Sequence, residues 1–198
     1  MTVRSENEVL TRTQKARQQD IIAAAIVVLD TDGFANASVE RVAQEAGTSK
    51  GTVLYHFKSK EGVHEAVVRL LYDNGTAYMA ERIRAEKSSR DRLRAYLGSN
   101  LRFIAENAAH VRAVHRILQN AGGRIEVADG VEPLRDLLAT GQQRGEFGQF
   151  DPQVVALMTR ALIDAASFHF TAHPDLDVEH YVAETIRFFE KATAKEES

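Results

Sequence analysis

Apolar residues recur every three or four positions along most of the chain, the spacing that places them on one face of an α-helix. In the segment from Thr13 to about Asp32 the set is Ile21, Ala25, Val28 and Leu29, joined by Ile22. Asp32-Gly33 closes that segment, because glycine accepts the left-handed geometry that follows a helix end. Ser38 is placed to cap a short helix over Val39–Ala46, Gly47 to stop it, and Ser49 to cap another over Lys50–His56. Ser59 then caps a long helix from Lys60 to about Arg84. Further helical segments are predicted near 89–106, 109–121, 131–144, 152–171 and 178–193. Glycines at 122, 123, 141, 145 and 148 and the run His173-Pro174-Asp175 supply the breaks. No strand-like alternation is sustained and no internal repeat is present, so the predicted fold class is all-α.

The most informative stretch runs from Val42 to Phe57. It reads as two short helices joined by a turn of about three residues containing Gly47, the requirement of a helix-turn-helix. Small Ala43 and Ala46 allow close approach of the two helices, and Val53 and Phe57, four apart, pin the second one from inside. Thr48, Ser49, Lys50, Thr52, Tyr55 and His56 are left for the other face. The first residues of such a second helix enter the major groove, where hydroxyls and cations meet bases and phosphates. Gly51 carries no side chain at a point where a DNA backbone could come close, or is simply tolerated in a first turn. Lys58 adds charge. Ser59-Lys60 offers a cation beside the free N–H groups of a helix start, a good phosphate clamp.

Composition changes this picture little. The 198 residues are 44% hydrophobic and 27% charged with net charge −3, ordinary for a globular domain. Residues 1–62 carry 8 Lys and Arg against 8 Asp and Glu, so affinity for DNA has to come from local clusters rather than bulk charge. Arg12, Lys15 and Arg17 are either a solvated face or a further phosphate contact. The chain has no cysteine, which excludes disulfides and thiolate chemistry. No run of about 18 consecutive apolar residues is present and the polar start lacks an apolar signal core, so a cytoplasmic protein with no membrane partner is expected.

Val42-Ala43, Ala46-Gly47, Ser49, Gly51-Thr52, Tyr55-His56-Phe57 and Ser59-Lys60-Glu61 together resemble the DNA-binding head of the TetR (tetracycline repressor) family. The resemblance spans about Thr13 to Val68, a quarter of the chain. It implies that Thr48, Ser49, Lys50, Thr52, Tyr55, His56 and Lys60 face DNA. One position departs from the family pattern: Leu54 stands where a tyrosine is common, so a hydroxyl contact to phosphate is missing there. The resemblance also implies a homodimer, a double-stranded DNA operator as partner, and a small-molecule inducer held among the helices of the second half, with no cofactor. The expected layout is a lead-in over 1–11, a DNA-binding domain over 12–60 and a ligand-binding and dimerisation domain over 61–198.

In the second half, the segment 152–171 is apolar nearly all round, so it must be covered on two sides. Val154, Leu157, Ala161 and Ala165 from it, with Tyr181, Thr185, Phe188 and Phe189 from the last segment, are the candidate dimer interface, a four-helix arrangement with the symmetry mates. Phe103, Leu118, Met158, Asp164 and Phe168 are the candidate ligand-pocket residues. Arg160 and Asp164, four apart in an otherwise apolar helix, read either as an intrahelical ion pair or as a polar anchor for a ligand. His169 and His173 share helical spacing, but no third metal ligand is dictated, and no catalytic constellation has defensible spacing. The expected function is a DNA-binding transcriptional regulator, a repressor released from a palindromic operator by an inducer. The competing class is a helical small-molecule-binding protein or enzyme whose head only packs. A non-specific structural DNA binder would want a more basic head.

Overall fold

The computed structural model describes residues 11–125 and 130–195, and among them every regular element is an α-helix. They are α1 (Arg12–Thr31), α2 (Val39–Glu45), α3 (Lys50–Phe57), α4 (Lys60–Ala85), α5 (Ser89–Glu106), α6 (Ala108–Asn120), α7 (Val131–Gln143), α8 (Pro152–Ala172) and α9 (Val178–Ala192). The all-α expectation holds, with each boundary within a residue or so of its predicted place. The reason is visible in the caps: side-chain oxygens of Thr11, Ser38, Ser49, Ser88, Asp151 and Asp177 each accept a first-turn N–H. One expected break is corrected. Gly141 lies inside α7, where the Phe147 ring packs against its bare Cα. The expected lead-in falls, apart from Thr11, outside the described residues.

The chain divides into two units. The first reaches to Arg69 and includes Ala113–Gly122; the second is Leu70–Arg112 together with the chain from Gly123 onward. The first unit therefore takes in the opening turns of α4 and the end of α6 as well as α1–α3. Its core is Ile21, Ala25, Val28 and Leu29 of α1, Val42 and Ala43 of α2, Val53 of α3, Val63 and Val67 of α4, and Val114 and Ile117 of α6. Arg116 of α6 donates to the carbonyls of Leu29 and Asp30 at the end of α1, where no basic residue of α1 itself is available.

In the second unit α5, α7, α8 and α9 pack around Leu93, Leu97, Leu134, Leu138, Phe147, Ala156 and Phe189. Charged pairs clasp α5 to α9: Arg94 to Glu190, and Arg102 to both carboxylate oxygens of Glu179 at 2.7 Å. The Glu146 carboxylate accepts the N–H groups of Ser89 and Arg90 and so caps α5 from a distant loop. Although no long unbroken apolar run exists, α8 is long and apolar enough on average to cross a membrane by length and composition alone.

Candidate nucleic-acid interface

The turn between α2 and α3 is set by backbone chemistry. Gly47, at φ +58°, donates to the Gln44 carbonyl, and Thr48 donates to that of Ala43 at 2.9 Å. This is a Schellman closure, which needs a left-handed residue and so favours glycine at 47. Two residues on, Ser49 caps α3 by accepting from the Thr52 N–H at 3.1 Å, and the two hydroxyls lie 2.9 Å apart. Val53 is fully buried and anchors α3, while Leu54 and Phe57 are half-buried.

The opposite side of α3 is open. Ser49, Lys50 and Gly51 are exposed, Thr48, Thr52 and His56 half-buried, and Tyr55 is 71% exposed with its ring edge-on to His56. Lys50 pairs with Glu40 of α2, and that contact pulls the Glu40 carboxyl below its ordinary range. Arg41 binds Asp32 at 2.7 Å and Glu45 at 3.0 Å, tying α2 to the end of α1. Hydrogen bonds from Thr31 and then Arg41 hold the Asp32 carboxyl low.

The α3–α4 junction is tighter than the sequence suggests. Lys58 has φ +65° and ψ −38°, and Ser59 donates to the Phe57 carbonyl at 2.7 Å. That is a γ-turn of the strained hand, at a residue with a side chain. Ser59 then caps α4 through the Gly62 N–H at 3.1 Å. A Cβ at Gly62 would lie 2.1 Å from the Phe57 carbonyl oxygen, so a bare Cα there lets α4 start flush against the end of α3. Lys60 turns back over the Phe34 ring, 4.8 Å from its centroid, and donates to the Phe34 carbonyl at 3.3 Å. Beneath it His64 is buried, 5.1 Å from the same ring; burial, and then the nearby Lys60 charge, push its imidazole down to about 4.

Thus Thr48, Ser49, Lys50, Gly51, Thr52, Tyr55 and His56 share one short helix and its lead-in turn. Lys58 and Lys60 follow at the junction, with Lys60 engaged internally. Sequence reasoning missed Arg41, Gly62, His64 and Arg116. Only the Arg41-to-Glu45 spacing carried a readable signal.

The expected pocket residues do not converge within the second unit. Leu118 belongs to the first unit, Phe103 packs against Tyr78, and Met158, Asp164 and Phe168 all point outward from α8. The expected interface residues divide as well. Val154, Leu157, Ala161 and Ala165 form an exposed stripe on α8, continued by Met158 and Phe168, and Phe188 of α9 is 60% exposed. Thr185 and Phe189, however, are buried within their own unit, because that face of α9 packs on α5, and Tyr181 is half-buried edge-on against Phe170. His169 and His173 stack at 4.3 Å and gather no third ligating side chain among the described residues.

Two short helices held at a Schellman turn, with polar side chains on the free face of the second, define a helix-turn-helix protein. Residues 21–67 match the family model for bacterial regulatory proteins of the tetR family. The chain is 33% identical over 88 residues to the HTH-type transcriptional regulator BetI 1 of Chromohalobacter salexigens, covering 44% of each chain. It is 37% identical over 89 residues to BetI of Ectopseudomonas mendocina, covering 44% of this chain and 45% of that one. The matched region is thus about half the length of these curated relatives. A bacterial regulatory protein of the tetR family from Rhodococcus RHA1 superposes with a TM-score of 0.77 at 21% identity, over 91% of this chain and 98% of that one. The regulator AibR, solved with isovaleryl coenzyme A and operator DNA, gives 0.69 at 16% identity, over 87% and 97%. The head, over residues 21–67, thus matches the tetR family model, and about nine-tenths of the chain shares the fold of these solved structures.

Proposed function

We propose that the protein is a homodimeric, sequence-specific DNA-binding regulator, a repressor released from a palindromic operator by a small-molecule inducer, acting in the cytoplasm. The observation that carries this reading is the open face of α3, presented on a turn closed by two backbone hydrogen bonds. In this reading Thr48, Ser49, Lys50, Gly51, Thr52 and Tyr55 meet base edges and phosphates, while His56, Lys58 and Lys60 lie along the flanking backbone. The domain layout of 12–60 and 61–198 is kept as a functional division, with α4 continuing from one part into the other.

The α8 stripe supports the dimer. Leu157 is 50% and Met158 61% exposed, and large apolar side chains this dense on one helix mark an association surface. One short recognition helix with few cations binds weakly. Two related by a twofold axis read half-sites about 34–36 Å apart. An inducer acts by preferring a dimer state in which that spacing is lost. AibR, of the same fold, was crystallised with both an acyl coenzyme A and operator DNA, so this fold accommodates both partners.

Selection of bound fragments from random duplex DNA by the purified protein tests the reading. The expected product is a near-palindrome with half-sites one helical turn apart. A monomeric protein that retains no duplex at low salt would sink it.

A further inference from the structure

Arg160 sits in the middle of α8, on the side of that helix turned into the second unit, with its side chain only 20% exposed. Its Nη1 donates to the Tyr96 hydroxyl of α5 at a long 3.4 Å, and its Nη2 to Asp164 at 3.2 Å. The Nε is buried and has no hydrogen-bond partner among the described residues. Its pairing with Asp164 is weak compensation, because that carboxylate is 66% exposed and faces water. A buried donor left unmade costs about 1–3 kcal/mol, and native structures rarely keep one without a use for it.

Apart from Asp164, the neighbour of this guanidinium can also donate. Tyr96 accepts from Arg160, which leaves its own O–H free to donate. The unpaired Nε–H, buried beside an Nη–H, is the edge of a guanidinium that a planar carboxylate meets with two parallel hydrogen bonds once it gains entry. A single cation suits a monoanion once the exposed Asp164 turns away to water. The second charge of a phosphate would stay uncompensated in a part-buried site.

We propose that Arg160, with the hydroxyl of Tyr96, binds the carboxylate of a small organic acid, and that Asp164 holds this cation until the ligand arrives. The regulatory consequence rests on the proposed function: a carboxylic acid is then the class of inducer.

The test uses the full-length protein and the unbranched carboxylates from acetate to octanoate, each against its matched alcohol at constant ionic strength. Binding is followed by calorimetry and thermal shift, and release of a selected operator by fluorescence anisotropy. Carboxylates are expected to bind and alcohols to bind at least ten-fold more weakly. Arg160→Gln should weaken carboxylate binding ten-fold or more. Asp164→Asn should strengthen it several-fold, since it removes the internal competitor, and it keeps the test decisive if Arg160→Gln fails to fold. A purely structural Arg160 gives another pattern: both variants lose stability and neither changes binding. That outcome, or no carboxylate binding at all, overturns the proposal. Carboxylate binding without operator release leaves the site standing and removes the regulatory reading. Operator release by neutral molecules, unaltered in Arg160→Gln, does the reverse.

Discussion

Replacing Gly62 by alanine tests whether the α3–α4 junction aims the reading helix. The new methyl would sit 2.1 Å from the Phe57 carbonyl oxygen, where ordinary contact begins near 3.4 Å. The obstacle is backbone, so α3 or α4 must retreat by about 1 Å in a close-packed unit. Overpacking of this kind costs about 1–3 kcal/mol, and the better helix propensity of alanine returns at most about 1 kcal/mol. The melting temperature should therefore fall by up to about 8 °C for a chain of this length. Specific binding should suffer separately. A good base contact is worth about 1–3 kcal/mol and a shifted helix loses one in each half-site, so operator affinity drops at least about ten-fold while non-specific affinity holds. Gly51→Ala is the control. Its methyl meets nothing closer than Ser49 Oγ at 3.6 Å, so it should stabilise the free fold, and any loss of binding reports DNA at that position. Anisotropy titrations of selected and scrambled duplexes, with thermal melts, separate the effects. A Gly62→Ala protein with parental melting and parental operator affinity would refute the reasoning.

Leu157→Glu places a charge on the exposed α8 stripe. It should leave the monomer folded, shift sedimentation toward half the mass, and lower operator affinity about 100-fold or more through lost avidity. Lys58→Gly and Lys58→Ala lose the same charge, but only glycine relieves the positive φ; urea titration should find the glycine variant about 1 kcal/mol more stable than the alanine one. His64 stays neutral in the fold down to about pH 4 while the unfolded chain protonates near 6.5. Stability is thus full above pH 6.5 and falls as pH drops from 6.5 to 4, by up to about 3 kcal/mol, and His64→Leu should flatten the urea midpoint across that range. Lys60→Ala should weaken binding to all duplexes alike and reduce the salt slope by about 1 per head, and an unchanged slope counts against the clamp.

Much of the fold was legible because its signals are local. A serine before an apolar repeat and a glycine after it act over four or five residues, so Ser38, Gly47 and Ser49 marked α2 and α3 correctly. What failed depends on which face of a helix finds a neighbour. The apolar pattern of α9 cannot tell that Phe189 packs inward on α5 while Phe188 faces out. In α8 the period also counted Met158 and Phe168 as pocket-lining, and only the packing shows them pointing away from the unit. Gly62 was invisible for the same reason, since its need for a bare Cα comes from a carbonyl on another helix. Arg116 is further still, 87 residues from the carbonyl of Leu29 that it caps.

The neutral head was the strongest objection from composition, and the side-chain pairings answer it. Arg41 is committed to the fold by two carboxylates, one holding the end of α1. Lys50 is different: its partner Glu40 lies in water, and such an exposed pair holds its lysine only weakly. Duplex DNA presents a charge about every 1.7 Å and releases counterions when one is neutralised, so exchanging Glu40 for a phosphate is favourable. A net charge counted over the head weighs Arg41 and Lys50 equally, yet only the second is free to change partners. A head with no net charge can in this way bind a duplex.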